Sequence, residues 1–430
     1  MRIWRLYVTV SGVVITATTT MIFAISFLLM TTPIHRPQKI VHRYTGPDIA
    51  LETTTTDIGI LTTTAKREIN VVTQTKSKRY IMPIGLTGGG PNYEYKHVKI
   101  AARFAIYLNR TLVLTPFLKH RSDDLVDFNQ TFDEGKLSQI VPLATVEEFK
   151  RECGSTIETI VHGTHTNDNQ FYHFQRAYLT DKIAFKRLLD IDMPGEDHIV
   201  QSEEETWERL ISSSRTKCIG IQYSYNFARD HGLSIPNKES MSKLVNKNLK
   251  RTPIITKVTD FVRDRICNGQ PYLALHWRNK TGEQCSGDKI KWDREKCSQL
   301  LSSLSNGMDK FAKGLADIMN THGVSCIYVA YLPYSQMSYI SSSSDITKIK
   351  SQEVTSLVED DYMFSLLEQE ICYRARVFVG SAWSNWANFV GLEFEAEDKP
   401  VYYLHGVRGS TTEPMANISF VQDDPDVPRP

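Results

Sequence analysis

Residues 271–278 read Pro-Tyr-Leu-Ala-Leu-His-Trp-Arg, an apolar run that ends in polar side chains. A strand buried on both faces of a parallel sheet has this pattern, because helices cover both sides of such a sheet. Residues 326–332 (Cys-Ile-Tyr-Val-Ala-Tyr-Leu) and 376–379 (Arg-Val-Phe-Val) give two more strands, and helical patterns separate all three. The segment therefore predicts a doubly wound α/β sheet, in which ligands bind at the carboxyl ends of the strands.

An earlier block repeats this arrangement. Residues 80–84 and 111–114 are predicted strands, and the turn at 85–92 reads Gly-Leu-Thr-Gly-Gly-Gly-Pro-Asn. The helix between them is predicted from the apolar positions Val98, Ala101, Ala102, Ala105 and Leu108. Consecutive glycines before a helix let the backbone approach a ligand closely, although the turn matches neither a dinucleotide fingerprint nor a P-loop. The two blocks predict Rossmann-like domains at 80–250 and 251–430.

Composition narrows the class of protein. The chain has 430 residues, of which 41% are hydrophobic and 23% charged, as in ordinary globular proteins. Its 50 basic and 49 acidic residues give a net charge of +1. Nucleic-acid-binding chains normally carry a basic excess, so no nucleic-acid partner is predicted. A single local anion site remains compatible with this balance.

The N-terminus predicts a membrane anchor. No residue from Leu6 to Ile34 is charged, and this run is long enough to cross a bilayer. We predict a cytoplasmic tail at 1–5 and a transmembrane signal anchor at 6–34. A cleaved signal peptide is the alternative, with a weak cleavage site near Ala24 and Ser26.

The Thr-rich residues 35–79 predict a stem, which is either an O-glycosylated stalk or a disordered linker. A tail, an anchor, a stem and a large globular unit are typical of a single-pass type II enzyme of the Golgi or endoplasmic reticulum membrane, with a lumenal catalytic domain. The seven cysteines include no C-x-x-C pair, and their odd number leaves at least one unpaired or bonded to another chain. Their connectivity stays open.

Polar residues follow two of the predicted strands. The guanidinium group of Arg278 is permanently charged, and its paired N–H donors suit a diphosphate. We interpret His276 as a structural histidine that holds the loop. In the turn Gly380–Asn385, Ser384 is predicted to cap the next helix, whose first N–H groups also suit a phosphate. Both readings of this turn stay open.

The sequence does not favour metal-dependent or hydrolase chemistry. Asp190-Ile191-Asp192 and Asp424-Pro425-Asp426 have the D-x-D spacing of metal-binding transferases, but neither follows a buried strand. We predict that both are solvated acidic turns and that the protein needs no metal. No G-x-S-x-G nucleophile elbow is present.

Three ordered motifs resemble the GDP-fucose protein O-fucosyltransferase family. Residues 366–386, Leu-Leu-Glu-Gln-Glu-Ile-Cys-Tyr-Arg-Ala-Arg-Val-Phe-Val-Gly-Ser-Ala-Trp-Ser-Asn-Trp, are similar to the family's last helix, strand and loop. Residues 272–278 are similar to its strand ending in His-x-Arg. Gly90-Pro91-Asn92, together with Leu-Asn-Arg-Thr-Leu at 108–112, resembles its first glycine-asparagine loop and the helix and strand that follow.

The resemblance implies a GT-B fold of two Rossmann-like domains with the donor between them. It implies inverting transfer of fucose from GDP-fucose to Ser or Thr hydroxyls of a protein or glycoprotein, without cofactor or metal. Arg278 would neutralise the β-phosphate as the glycosidic bond breaks, and Asn92 would face the reacting centre. The donor-binding residues carried over are Gly88, Gly89, Gly90, Pro91, Asn92, His276, Trp277, Arg278, Glu368, Ser384, Asn385 and Trp386.

The chain departs from the family pattern in two places. A glutamate proposed as the base in one branch is replaced by Gly90, so Glu94 is the nearest alternative base. Asn385 and Trp386 replace a small hydroxyl residue and a phenylalanine. General-base help is typically worth 10²–10⁴-fold, so the first departure matters most. Two alternatives follow: a glycosyltransferase acting on glycans, and a catalytically dead, membrane-anchored GDP-fucose-binding protein.

Overall fold

The computed structural model divides the chain into two units, 1–73 and 74–430. The residues it describes all belong to the second unit: 78–86, 90–119, 122–163, 178–194, 199–201, 216–223, 238–278, 294–330, 347–350, 360–382, 384–405 and 419–422. The predicted tail and anchor, and the stem up to residue 77, lie outside these residues.

Within the described ranges, we find no helix with both the length and the apolar character of a membrane span.

The first half of the folded unit, which we define as residues 80–250, contains a six-stranded parallel sheet. Its strands are β1 (Tyr80–Ile84), β2 (Thr111–Leu114), β5 (Leu143–Thr145), β6 (Thr159–Gly163), β7 (Ile199–Gln201) and β8 (Cys218–Tyr223). A separate antiparallel hairpin is formed by β3 (Phe117–Leu118) and β4 (Leu125–Val126). The order in the sheet is β5-β2-β1-β8-β6-β7, and all neighbouring strands are parallel.

The main helices of this half are α1 (Pro91–Tyr107), α2 (Val146–Cys153) and α3 (Lys238–Asn248). Shorter helical turns lie at Phe128–Thr131 and Glu134–Leu137, and the helical segment 178–189 ends as a π-helix over Phe185–Leu189. The predicted strand, helix and strand at 80–114 are confirmed. Gly90 precedes α1 at φ 78°, a left-handed conformation that favours glycine, and Pro91 occupies the first turn, where a missing N–H costs nothing.

The second half, residues 251–430, repeats the design. Its strands are β9 (Tyr272–His276), β10 (Cys326–Val329), β11 (Thr347–Lys350), β12 (Val377–Ser381), β13 (Val401–His405) and β14 (Ser419–Gln422), in the sheet order β11-β10-β9-β12-β13-β14. The edge strand β14 is antiparallel, and the other pairs are parallel. Its helices are α4 (Pro253–Arg263), a 3-10 turn (Ile266–Gly269), α5 (Arg294–His322), α6 (Asp361–Tyr373) and α7 (Asn385–Ala396).

The predicted α/β fold with parallel sheets is therefore present in both halves. Every residue of β1, β9 and β12 is buried, as expected for strands covered on both faces. Two boundaries were wrong: the strand predicted at 326–332 ends at Val329, and the strand predicted at 376–379 continues to Ser381 as β12.

The two halves share one core. The Tyr95 ring of α1 packs against Phe132 and, in α7, against Phe389, with ring centres 4.9 and 5.4 Å apart. Next to these rings, the fully buried Arg251 pairs with Glu370 at 3.1 Å and with Glu393 at 2.6 Å. Breaking such a buried pair from one side leaves an uncompensated charge, so these ions fix α6 and α7 against the start of α4.

Two disulfides attach the first residues of two strands to neighbouring helical segments. Cys153–Cys218 joins the end of α2 to β8, and Cys267–Cys326 joins the 3-10 turn to β10. Cys372 is buried with a free thiol, which agrees with the odd number of cysteines.

Candidate functional site

The carboxyl end of β9 carries a buried histidine. The His276 ring stacks on the Trp386 indole, with centres 4.2 Å apart and planes 14° from parallel. Neither ring nitrogen has a hydrogen-bond partner among the described residues. Burial, together with the nearby Arg278 charge, lowers the pKa of His276 to about 3, so the ring stays neutral. Buried polar atoms in proteins are nearly always partnered, so these two ring nitrogens need an explanation.

Arg278 follows two residues later with an exposed side chain. Its backbone N–H donates to Ser381 Oγ at 2.7 Å, and Ser381 Oγ donates to the His276 carbonyl at 3.3 Å. The buried Ser381 ends β12, the parallel neighbour of β9. One hydroxyl therefore holds the turn that presents both His276 and Arg278. Sequence reasoning assigned Ser381 no role, although its position beside the His-x-Arg strand would follow from the β9–β12 register.

Trp277 points to the other side of the sheet. Its ring packs on Phe311 of α5, 5.0 Å between centres, and belongs to the apolar core behind β9. Successive side chains of a strand alternate between faces, so residues 276 and 277 cannot line the same surface. The Trp277 and His276 side chains therefore lie on opposite faces of the sheet. The contact predicted between Trp277 and the donor stays a prediction.

The turn after β12 leads directly into α7. Ser384 Oγ accepts a hydrogen bond from the Ala387 N–H at 3.4 Å, so the predicted helix cap is confirmed. Asn385 is the first residue of α7, half-buried, and Trp386 donates from Nε1 to Ser365 Oγ of α6 at 3.0 Å. The positive end of the α7 dipole thus lies beside His276, where an anion is stabilised.

Helix α6 connects this end of the second half to the first half. The buried Glu368 carboxylate accepts a hydrogen bond from Tyr328 Oη of β10 at 3.2 Å. Its neighbour Gln369 donates from Nε2 to Asn92 Oδ1 at 2.6 Å. Asn92 lies in the first turn of α1, so the predicted asparagine of the glycine loop is brought to the helix that carries Glu368.

The glycine loop itself is described only in part. Gly90 precedes α1 and Pro91 is its first residue, and Gly88 and Gly89 lie outside the described residues. Glu94 is buried, and its Oε2 accepts a hydrogen bond from the Leu118 N–H at 2.8 Å. Burial raises the pKa of Glu94 well above its usual value, and the nearby Asp181 charge raises it further.

A second buried histidine lies one helical turn after Glu94 and was missed by sequence reasoning. Both nitrogens of His97 lack a hydrogen-bond partner among the described residues, and burial lowers its pKa to about 3. The ring lies so close to Gly85, just after β1, that a Cβ there would come within 2.7 Å of it. The signal in the sequence is this glycine, since a side chain at residue 85 would displace the histidine.

The first D-x-D pair has the predicted character. Asp190 and Asp192 are exposed, and a carboxylate oxygen of each forms a salt bridge with Lys186 Nζ at 3.0 Å. Asp424 and Asp426 lie outside the described residues. In the described part of the chain, no group of three His, Cys, Asp or Glu side chains is arranged to hold a metal ion.

Comparison with known proteins gives one family. The model of the family described as GDP-fucose protein O-fucosyltransferase matches residues 80–396. No curated protein matches the chain.

Solved fucosyltransferase structures are similar at low sequence identity. POFUT1 in complex with GDP-fucose is 16% identical, with 75% of this chain and 95% of that chain covered and a TM-score of 0.47. POFUT1 in complex with GDP is 16% identical, with 76% and 99% covered and a TM-score of 0.46. NodZ alpha-1,6-fucosyltransferase soaked with GDP-fucose is 11% identical, with 81% and 100% covered and a TM-score of 0.42.

Proposed function

Because the chain belongs to the GDP-fucose protein O-fucosyltransferase family, we propose that it is a fucosyltransferase that takes fucose from GDP-fucose. One observation carries the proposal: the end of β9 presents an exposed Arg278 and a buried, neutral His276, and Ser381 fixes the turn between them. A cationic side chain on a fixed turn next to a helix N-terminus suits a sugar diphosphate.

The donor binds in a GT-B arrangement, with its diphosphate at the carboxyl ends of β9 and β12. The bond between fucose C1 and the β-phosphate oxygen breaks, and GDP leaves with the electron pair. Arg278 and the N–H groups at the start of α7 neutralise this charge, which is the largest stabilisation the transition state needs in a metal-independent reaction. His276 stays neutral and offers its ring nitrogens as hydrogen-bond partners to the donor.

The acceptor hydroxyl attacks C1 from the opposite side, so the configuration inverts, and its proton passes to a base. Glu94 is that base in our proposal. It lies two residues after Asn92, and the burial that raises its pKa makes its carboxylate a stronger proton acceptor. The Leu118 N–H holds Oε2, so Oε1 takes the proton.

The acceptor is a Ser or Thr hydroxyl of a protein, as the family's name implies. We further propose a single-pass protein of the Golgi or endoplasmic reticulum membrane with residues 80–430 in the lumen. The uncharged run at 6–34 supports the anchor, and the Cys153–Cys218 and Cys267–Cys326 disulfides support an oxidising compartment.

The absence of a carboxylate at Gly90 favours a second candidate, a protein that binds GDP-fucose without transferring it. GDP release by the purified full-length protein distinguishes the two. We expect release from GDP-fucose but not from GDP-mannose, stimulation by folded protein acceptors rather than by free glycans, and no effect of EDTA.

Tight GDP binding without release would establish the binding protein instead. Stimulation by free glycans alone would reassign the acceptor. Inhibition by EDTA that added metal reverses would overturn the metal-independent mechanism.

A further inference from the structure

The hydrogen bond between Gln369 and Asn92 joins the two halves at the proposed site. Gln369 Nε2 donates to Asn92 Oδ1 at 2.6 Å, and the Gln369 side chain is fully buried. A carboxamide has one accepting end and one donating end. When Gln369 occupies Oδ1, the Nδ2 group of Asn92 is left to donate elsewhere.

The stability of the fold does not explain this glutamine. Gln369 Oε1 is buried without a hydrogen-bond partner in the described part of the chain. Leaving a buried acceptor unsatisfied typically costs at least as much free energy as one hydrogen bond returns. An apolar side chain of the same length would therefore serve packing at least as well, so the amide needs a reason outside packing.

Helix α6 supplies that reason, because it is locked to the donor end of the second half. Ser365 receives the Trp386 indole N–H, and Glu368 receives the Tyr328 hydroxyl. Trp386 in turn stacks on His276. Gln369 therefore relates the direction of the Asn92 amide to the position of the His276 ring.

We propose that Gln369 is a positioning residue that turns the Asn92 amide so that Nδ2 donates to an oxygen of the reacting sugar. This inference rests on the proposed fucosyltransferase function. The recognised group is a hydroxyl or the phosphate-linked oxygen of the donor, since an N–H₂ group bonds acceptors only. With the amide reversed, Oδ1 would repel the phosphate-linked oxygen, which has no proton to donate, and a sugar hydroxyl would have to donate instead of accept.

Two variants of Gln369 test the direction of the bond. Gln369→Met keeps the length of the side chain and removes the bond, and we expect kcat to fall about 10- to 100-fold, as small misplacements of reacting groups do, with KM for GDP-fucose within about twofold. Melting should occur at or above the wild-type temperature, because an unsatisfied buried acceptor is removed.

Gln369→Glu gives a signature that a purely structural residue would not. The protonated carboxyl can donate to Asn92 Oδ1, whereas the carboxylate can only accept and forces the amide to reverse. We expect the kcat of this variant to be near the wild-type value at low pH and to fall as the pH rises. The fall should occur over a pH range in which the kcat of the wild type does not change. The double variant Gln369→Met with Asn92→Ala should be no slower than Asn92→Ala alone, because Gln369 acts through Asn92.

The outcomes separate the two proposals. A wild-type protein that transfers no fucose overturns the proposed function, and this inference with it. An active wild type whose folded Gln369→Met variant keeps full kcat overturns the inference alone. Should Gln369→Met fail to fold, a flat pH profile of Gln369→Glu has the same consequence.

Discussion

Each half of the folded unit buries one histidine near the end of a central strand, and in both cases a nearby cation, Arg278 or Lys96, adds to the lowering of its pKa by burial. The two sites differ in the other groups around the ring. In the second half, the neighbours of His276 are Arg278 and the N-terminus of α7. In the first half, His97 lies one turn after the buried carboxyl group of Glu94. In our proposal, the same sheet architecture provides a cationic edge with Arg278 for a leaving diphosphate and an acidic edge with Glu94 for a departing proton.

Removing the cation should produce the largest loss of fucose transfer. Arg278→Ala should lower fucose transfer by about 10²–10³-fold or more, since no other described side chain of this turn carries a charge. The side chain is exposed, so the melting temperature should not change. Initial rates at saturating GDP-fucose and a thermal melt measure both.

Arg376→Ala is the matched control, since Arg376 is also exposed but precedes β12, at the opposite end of the same sheet. It should transfer fucose at the wild-type rate. If Arg278→Ala kept wild-type turnover, the cationic edge would have no part in the reaction.

The second half could be predicted well from the sequence because its site residues are carried by contiguous motifs. Residues 276–278 directly follow an apolar strand, and Ser384 directly precedes a helix. The contribution of Ser381 depends on the pairing of β12 with β9, about a hundred residues apart in sequence, and this register is set by tertiary packing. Trp277 was grouped with His276, although the alternation of strand side chains places it on the other face.

The first half was harder to predict because its polar residues lie inside a helix. Glu94 and His97 occupy positions of α1 that helical periodicity alone assigns to a buried face. The Leu118 N–H that binds Glu94 comes from the strand β3, and Gly85, just after β1, makes room for the His97 ring. The sequence therefore identified the glycine loop and named Glu94 only as the nearest carboxylate to it, and His97 was missed because its one signal, Gly85, becomes readable only once the ring is placed beside it.

Removing the acidic group should have the second-largest effect. Glu94→Gln should lower kcat by about 10²-fold or more while the affinity for GDP, measured by calorimetry, stays unchanged. The new amide oxygen can still accept from the Leu118 N–H, which separates proton transfer from the tether. Equal kcat in wild type and variant would exclude Glu94 as the base.

The same variant tests the cause of the raised pKa. A carboxyl group whose pKa is higher in the folded than in the unfolded protein stabilises the fold at pH values below its unfolded pKa. That stability is lost as the pH rises through the folded pKa. Glu94→Gln should therefore melt above wild type at pH 8, and the difference should shrink towards pH 4.

The smallest expected effect is on the pH dependence of the unfolding free energy, to which both buried histidines contribute. Burial lowers the pKa of His97 and of His276 from 6.5 to about 3, so each ring stabilises the fold fully above pH 6.5 and progressively less as the pH falls. Between pH 8 and pH 5, each should cost the fold about 2 kcal/mol of unfolding free energy. Urea unfolding at several pH values should show that His97→Gln and His276→Gln each lose about 2 kcal/mol less than wild type over this range.

GDP binding distinguishes the roles of the two histidines, whereas acid unfolding affects both in the same way. His276→Gln should weaken GDP binding because its ring faces the donor edge, whereas His97→Gln should leave it unchanged because its neighbours belong to the acidic edge. An equal loss of GDP affinity in both variants would mean that the nucleotide contacts both halves. The division between a cationic donor edge and an acidic acceptor edge would then be wrong, even with the acid sensitivity of both rings intact.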